Sequence, residues 1–268
     1  MSKLKISAVV LVFLGAIIVV PTDSVRGGPV YNITIDGSDA IFLAGRTDVT
    51  IPPASAPWDT GTYLKRHPDP TPEEIQETLP PYIPVAGGDI IRAQDPAIGG
   101  VDFFNGVGPG WGPSGNGLGD SNLDALDGIS GYIGPQGPLA GVFLDDNIPG
   151  SGPAPATLDF SPTGLGLDFL TLSPLLKQVF YIGDGVTSGT FQQFIAPAGA
   201  TRLFLGIPDG FSFLGHPGAY DDNDGSYRVT IAINEEPPPI PAPTSLTLGM
   251  LGLLSVGAMR RKLNKKTA

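Results

Sequence analysis

The chain has no cysteine. Disulfides, catalytic thiols and thiolate metal sites are therefore excluded, and a domain of this composition must be held by its own core or by a metal ion. Histidine is almost as scarce: His67 and His216 stand far apart, and neither sits in a zinc-ligand spacing. Positive charge is sparse away from the two ends. Residues 27–259 carry seven cations (Arg46, Lys65, Arg66, Arg92, Lys177, Arg202, Arg228) against 25 acids, a net charge near −18. Such a body repels phosphate backbones and anionic lipid, so nucleic acid is excluded as a partner. Nucleotide-cradling loops and the Gly-x-Ser-x-Gly nucleophile elbow are also missing. The adjacent acids Asp145 and Asp146 at a strand end read as a solvated turn, so the chain is not expected to be an enzyme.

Glycine (38) and proline (29) together make up about a quarter of the chain. They carry no Gly-x-y period, which excludes collagen, and they fall between short apolar stretches. That pattern predicts an all-β protein with many turns. Strands are expected at Tyr31–Ile35, Ala40–Ala44, Asp48–Ile51, Ile90–Ala93, Val101–Phe104, Leu139–Leu144, Thr157–Phe160, Lys177–Ile182 and Gly189–Ala196. Thr201–Ile207 and Ser226–Ile233 are expected to form a hairpin-like pair. The last of these alternates strictly, with Tyr227, Val229, Ile231 and Ile233 on one face. Residues 105–138 and 145–176 read as long loops, and Leu165–Leu176 as apolar cover. Residues 64–84 read as a polar insert holding a two-turn helix, capped by Thr71 with Pro72 at its first position and ended by Pro80. Trp58 reads as cover for one edge of the core.

The two ends differ from the body. Lys3 and Lys5 precede an apolar stretch from Ile6 to Val20, the pattern of a secretory signal peptide or an uncleaved anchor. At the other end a proline-rich spacer (235–243) leads into the uncharged run Thr244–Met259, then Arg260, Arg261, Lys262, Lys265 and Lys266. Sixteen residues span roughly 24 Å as a helix, just short of a bilayer core of about 30 Å, and the cations would stay on the cytoplasmic side. A buried C-terminal helix is the alternative, though three glycines and five cations argue against it. The expected division is a signal peptide over 1–27, a β-sandwich over 28–234, a linker over 235–243 and a membrane or sorting helix over 244–268.

The tail resembles the PEP-CTERM sorting signal, with Pro241, Ala242 and Pro243 at the Pro-Glu-Pro position and Arg260, Arg261 and Lys262 at the basic end. The resemblance implies an exosortase-like membrane protease as partner. It also implies transient residence in the inner membrane, then delivery to the cell surface, outer envelope or extracellular matrix.

Asp209 follows one strand, and Ala219-Tyr220-Asp221-Asp222-Asn223-Asp224-Gly225 precedes the next. Oxygen donors converging from two strand ends suit calcium, and an open Asp/Asn turn is the alternative. The EF-hand register does not fit, because no Glu stands at its twelfth position. Pro217–Val229 resembles the calcium loop and last strand of the bacterial galactose-binding lectins with a small jelly-roll fold. Gly88–Ile91, Trp111–Pro113 and Leu139–Leu144 follow that family in order. The resemblance implies a jelly-roll-like β-sandwich and a Ca2+ site made by Asp209, Asp222 and Asn223 with the carbonyls of Ala219 and Asn105. It also implies a glycan or exopolysaccharide ligand met by Asp209, Asp222 and the flanking loop, with Trp111, Asn116 and Asp120 as candidates. If the tail is a sorting signal, intact-mass spectrometry of the exported protein will show loss of the residues from about Thr244 onward; a mature protein retaining them would overturn that reading.

Overall fold

The structure is a computed structural model that describes residues 28–51, 53, 76–108, 110–150 and 152–236. The expected signal peptide, Trp58, most of the polar insert, and the spacer beyond Glu236 with its apolar helix lie outside the described residues. The strands, in chain order, are β1 Val30–Asp36, β2 Tyr82–Pro84, β3 Ile90–Ala93, β4 Ile98–Asp102, β5 Asn116–Leu123, β6 Tyr132–Gln136, β7 Ala140–Leu144, β8 Thr171–Leu172, β9 Val179–Tyr181, β10 Val186–Thr187, β11 Thr190–Phe191, β12 Gln193–Ile195, β13 Arg202–Gly206, β14 Leu214–Gly215 and β15 Asp224–Ile233. Helix among the described residues amounts to single 3-10 turns at Ile41–Leu43, Phe211–Phe213 and Tyr220–Asp222. The described residues are all-β.

The first sheet runs β1-β15-β3-β12-β8, and β4 also pairs with β15. β15 is its spine. One edge pairs with β1 along the whole of Val30–Asp36, and the other pairs first with β4 and then with β3. Its alternation places Tyr227, Val229, Ile231 and Ile233 in the core and leaves Arg228 exposed, as the period-two pattern requires. The second sheet runs β2-β13-β7-β9, β14-β5-β6 forms a third, and β10 and β11 make a separate ribbon. Apolar faces of the first two sheets share one core, giving a sandwich-like arrangement. Phe194 of the first sheet meets Phe180 of the second at 5.2 Å between ring centres, and Phe180 stacks on Phe143 at 5.2 Å.

Several expectations are corrected. β13 and β15 are not a hairpin: β13 lies between β2 and β7 in the second sheet, while β15 lies in the first. Alternation fixes which face a strand buries, not which strand it pairs with. Ala40–Ala44 is not a strand. All five residues are buried, which a strand with one solvent face cannot achieve, and they form a 3-10 plug against β7 and β13. Asp48–Ile51 joins no ladder. Instead the Asp48 carboxylate grips buried Arg46 at 2.9 Å, and Asp127 holds the same guanidinium at 2.9 Å. Thr157–Phe160 contributes one bridge, at Asp159, rather than a strand.

The described end of the expected helix, 76–79, is extended. Thr78 bonds through its backbone N–H to Ser38 O at 2.8 Å and through its carbonyl to Ala40 N at 3.1 Å, and this pairing replaces the helical turn. The expected loop 105–138 contains β5 and β6, and 145–176 contains β8. Glycines in β5 give a weak strand signal, but the backbone ladder to β6 forms around a register shift between Asn116 and Asp120. In the expected cover segment Leu167, Phe169, Leu172 and Leu176 pack on the core, while Leu165, Leu170 and Leu175 are exposed.

The Tyr227 hydroxyl, fully buried, donates to Gly137 O at 2.8 Å and ties β15 to the turn between β6 and β7. Tyr227→Phe strands that carbonyl, so the urea midpoint should fall by an amount worth about 1–2 kcal/mol with an unchanged m-value. An unaltered midpoint would show that the bond contributes nothing net.

Candidate metal centre

One end of the sandwich collects the ends of β13 and β4 and the start of β15. Asp209 stands just beyond β13. Its backbone N–H donates to the Tyr220 hydroxyl (3.1 Å), which donates in turn to Ile207 O (2.7 Å). Its carbonyl accepts from Gly218 N at 3.0 Å. The chain returns through the Tyr220–Asp222 turn to Asn223, whose Nδ2 donates both to Asp209 Oδ2 (2.8 Å) and to Gly37 O (3.1 Å). The other carboxylate oxygen of Asp209 accepts from Gly210 N at 2.7 Å. Asn105 reaches the same place by its backbone, donating to Asp222 O at 2.9 Å. Asp209, Ala219, Asp222, Asn223 and Asn105 are thus brought together, although the strands that carry them belong to different sheets.

The centre is dry and under-neutralised. Asp209 is 2% exposed and Asn223 0%. Burial drives the Asp209 carboxyl well above the usual carboxylate range. The Asn223 hydrogen bond works against that rise, and the neighbouring Asp222 and Asp221 add to it. Because both Nδ2 donations fix the Asn223 amide, its Oδ1 points away from them, and that buried oxygen has no hydrogen-bond partner. A buried acceptor left without a donor costs about 1–3 kcal/mol. A hard cation would give the amide oxygen a partner and offset the excess negative charge around it. The described residues hold no cluster of three or more His, Cys, Asp or Glu suited to a metal. The donors gathered here are of another kind: two carboxylates, one amide oxygen and nearby carbonyls, an all-oxygen set of the type calcium takes. Asp209, Asp222 and Asn223, with the carbonyls of Ala219 and Asn105, are the groups that would hold it.

A cavity of about 120 Å³ opens beside these groups, lined by Asp209, Asp222, Ala219 and Gly210 with Phe103, Phe104, Phe211 and Phe213. Phe104 and Phe211 are 50% and 45% exposed at its rim. Trp111 does not line it but supports its wall, with ring centres 4.9 Å from Phe103, 5.6 Å from Phe104 and 5.5 Å from Phe213. Non-glycine residues with positive φ gather around the cavity: Asn105 (56°), Ser212 (56°), Phe213 (58°) and Ala219 (60°). Left-handed backbone at such residues is costly and tends to concentrate at functional sites.

Asn116 and Asp120 are not brought to this cavity. They lie on β5, where Asn116 Nδ2 donates to Gln136 Oε1 at 3.3 Å and Asp120 pairs in register with Pro135. The aromatic wall was missed from the sequence, although Phe103-Phe104 directly precedes Asn105 and Phe211-Ser212-Phe213 follows Asp209 by two. Asp145 forms a turn with Asn147, whose hydrogen bonds lower its carboxyl below the usual value. The sorting-signal positions Pro241, Ala242, Pro243, Arg260, Arg261 and Lys262 lie outside the described residues. A second cavity, about 300 Å³, opens on the outer face of the first sheet beside Asn32, Thr34, Asp95, Arg228 and Thr230 and shares no residue with the Asp209 centre.

The raised Asp209 carboxyl fixes the sign of a pH effect. Between the unfolded carboxylate value, about 3.9, and the raised folded value, the metal-free fold binds more protons than the unfolded chain. The Asp209 contribution to stability is therefore greatest on the acid side and is lost as pH rises through that window. In chelator, from about pH 4 to about pH 8, the urea midpoint of the wild type should fall relative to that of Asp209→Asn. Parallel profiles would remove Asp209 as the source. Comparison with family models, with curated proteins and with solved structures finds no match to this chain.

Proposed function

We propose that this chain is an exported β-sandwich protein of jelly-roll type that holds Ca2+ at Asp209, Asp222 and Asn223, with carbonyls from Ala219 and Asn105, and uses the adjoining cavity to bind a glycan such as an exopolysaccharide. The observation that carries the reading is the fully buried, unpartnered Asn223 Oδ1 beside the buried Asp209 carboxylate. The cavity supplies the ligand half: oxygen donors lie next to exposed Phe104 and Phe211, and an aromatic face beside polar groups suits a sugar ring. Export, sorting by an exosortase-like protease and a final place at the cell surface or in the matrix rest on the patterns of the two ends. Within the described residues no helix is long and apolar enough to cross a membrane; the Thr244–Met259 run lies outside them.

The second reading keeps the calcium and drops the glycan: the cation serves only the fold. The buried position of Asn223 favours it, since an oxygen so enclosed contributes to stability whatever binds outside.

Calcium at a hundred times its dissociation constant should stabilise the protein by about 2.7 kcal/mol. For a domain of this size that is a rise in Tm on the order of 5–10 °C, smaller in Asp209→Asn. Glycan-array binding should vanish in chelator and in a Phe104→Ala, Phe211→Ala double variant that keeps the calcium shift. A calcium shift without glycan binding selects the structural reading, and no calcium shift sinks both.

A further inference from the structure

A second pair of carboxylates lies one loop away from the Asp209 centre. Asp102 ends β4 and Asp224 begins β15, and the two are direct partners in the antiparallel register. Residues so paired point to the same face with Cβ atoms about 4.5–5.5 Å apart, and like charges there repel. Neither carboxylate forms an ion pair among the described residues. Asp224 is exposed, so water can solvate its carboxylate. Asp102 is enclosed: it is 9% exposed, and its Oδ2 is buried without a hydrogen-bond partner.

The direction of that oxygen is also fixed. Asp102 Oδ1 is taken up by two backbone donors, Phe104 N at 2.8 Å and Gly106 N at 3.1 Å, so the 103–108 loop wraps round the carboxylate. Oδ2 faces Gly108, where a Cβ would stand only 2.8 Å from it. Asp224 Oδ2 faces Gly106 of the same loop, 3.5 Å from where a Cβ would be. Both free oxygens therefore turn toward one short glycine-bearing segment from opposite strands.

We propose that Asp102 and Asp224 form a second, separate site for a hard divalent cation, with calcium as the expected ion and carbonyls of the 106–108 segment completing its oxygen shell. Two carboxylates match the ion's charge, and loop carbonyls are ordinary calcium donors. The site shares the 102–108 loop with the Asp209 centre but no carboxylate. It rests on Asp102 Oδ2, not on Asn223 Oδ1, so each can fail alone.

Equilibrium dialysis of the full-length protein against calcium, after chelator treatment, tests it by counting ions per chain. Two are expected in the wild type, one in Asp224→Asn and one in Asp209→Asn. Asp224 is exposed, so its substitution leaves the core untouched; circular dichroism confirms that the variant is folded. Gly108→Ala should also bind one, because its methyl group meets Asp102 Oδ2. A wild type that binds one ion, lost in Asp209→Asn and kept in Asp224→Asn, overturns the second site and leaves the first. One ion lost in Asp224→Asn and kept in Asp209→Asn supports this site and removes the first. Two ions retained in Asp224→Asn also overturns it.

Discussion

The contact between Asp209 and Asn223 is a polar link between the two main sheets, beside the apolar core they share. β13 belongs to the second sheet and β15 to the first, and the chain between them is a crossover. The Asn223 amide closes it by holding Asp209 and Gly37 together, so the end of one sheet, the start of the other and the turn after β1 meet on one side chain. That arrangement is electrostatically poor when left to itself. A carboxylate is buried among other acids, and an amide oxygen beside it has no donor. An apolar pair of the same size would pack at less cost. On the proposed reading a hard cation from outside the chain completes this polar centre.

What the sequence disclosed follows from what periodicity can carry. Strict alternation in Ser226–Ile233 gave both the strand and its buried face, because the pattern is itself the signature of a sheet with one dry side. Leu139–Leu144, Lys177–Ile182 and Thr201–Ile207 were legible as apolar runs. Partnership was not: nothing in β13 or β15 says that they lie in different sheets, since that depends on which edges β1, β2, β4 and β7 occupy. The run Ala40–Ala44 looked like a strand because apolar character was counted without its period. β5 was invisible for the opposite reason: most of its residues are glycines and polar groups, and the backbone ladder to β6 makes it a strand.

The candidate site was more legible than the fold around it. Asp209 and the 219–223 segment are expected to meet because their strands are expected to pair. The strands lie in different sheets, and the two segments meet instead through the Asn223 amide across the crossover. Asn116 and Asp120 failed because they were placed by analogy on a loop that is in fact a strand, and their direction is set by its register. The aromatic wall was passed over because Phe103, Phe104, Phe211 and Phe213 read individually as core. Only the fold shows that two of them stay half exposed beside the acids.

A chain without cysteine still has to fasten segments distant in sequence, and on the proposed reading cations do that work. A cation at Asp209, Asp222 and Asn223 with the Asn105 carbonyl would link the end of β13, the start of β15 and the loop after β4. A second at Asp102 and Asp224 would link β4 to β15 a few residues on. Each closes a loop of roughly a hundred residues, the span over which a disulfide would restrict the unfolded chain by about 4–5 kcal/mol. A metal link differs in that it depends on the free ion and on carboxylate ionisation, so the rim carrying Phe104 would be ordered only where calcium is plentiful. The acidic charge of the body fits that arrangement. It raises the local concentration of divalent cations without committing more than a few carboxylates to binding them.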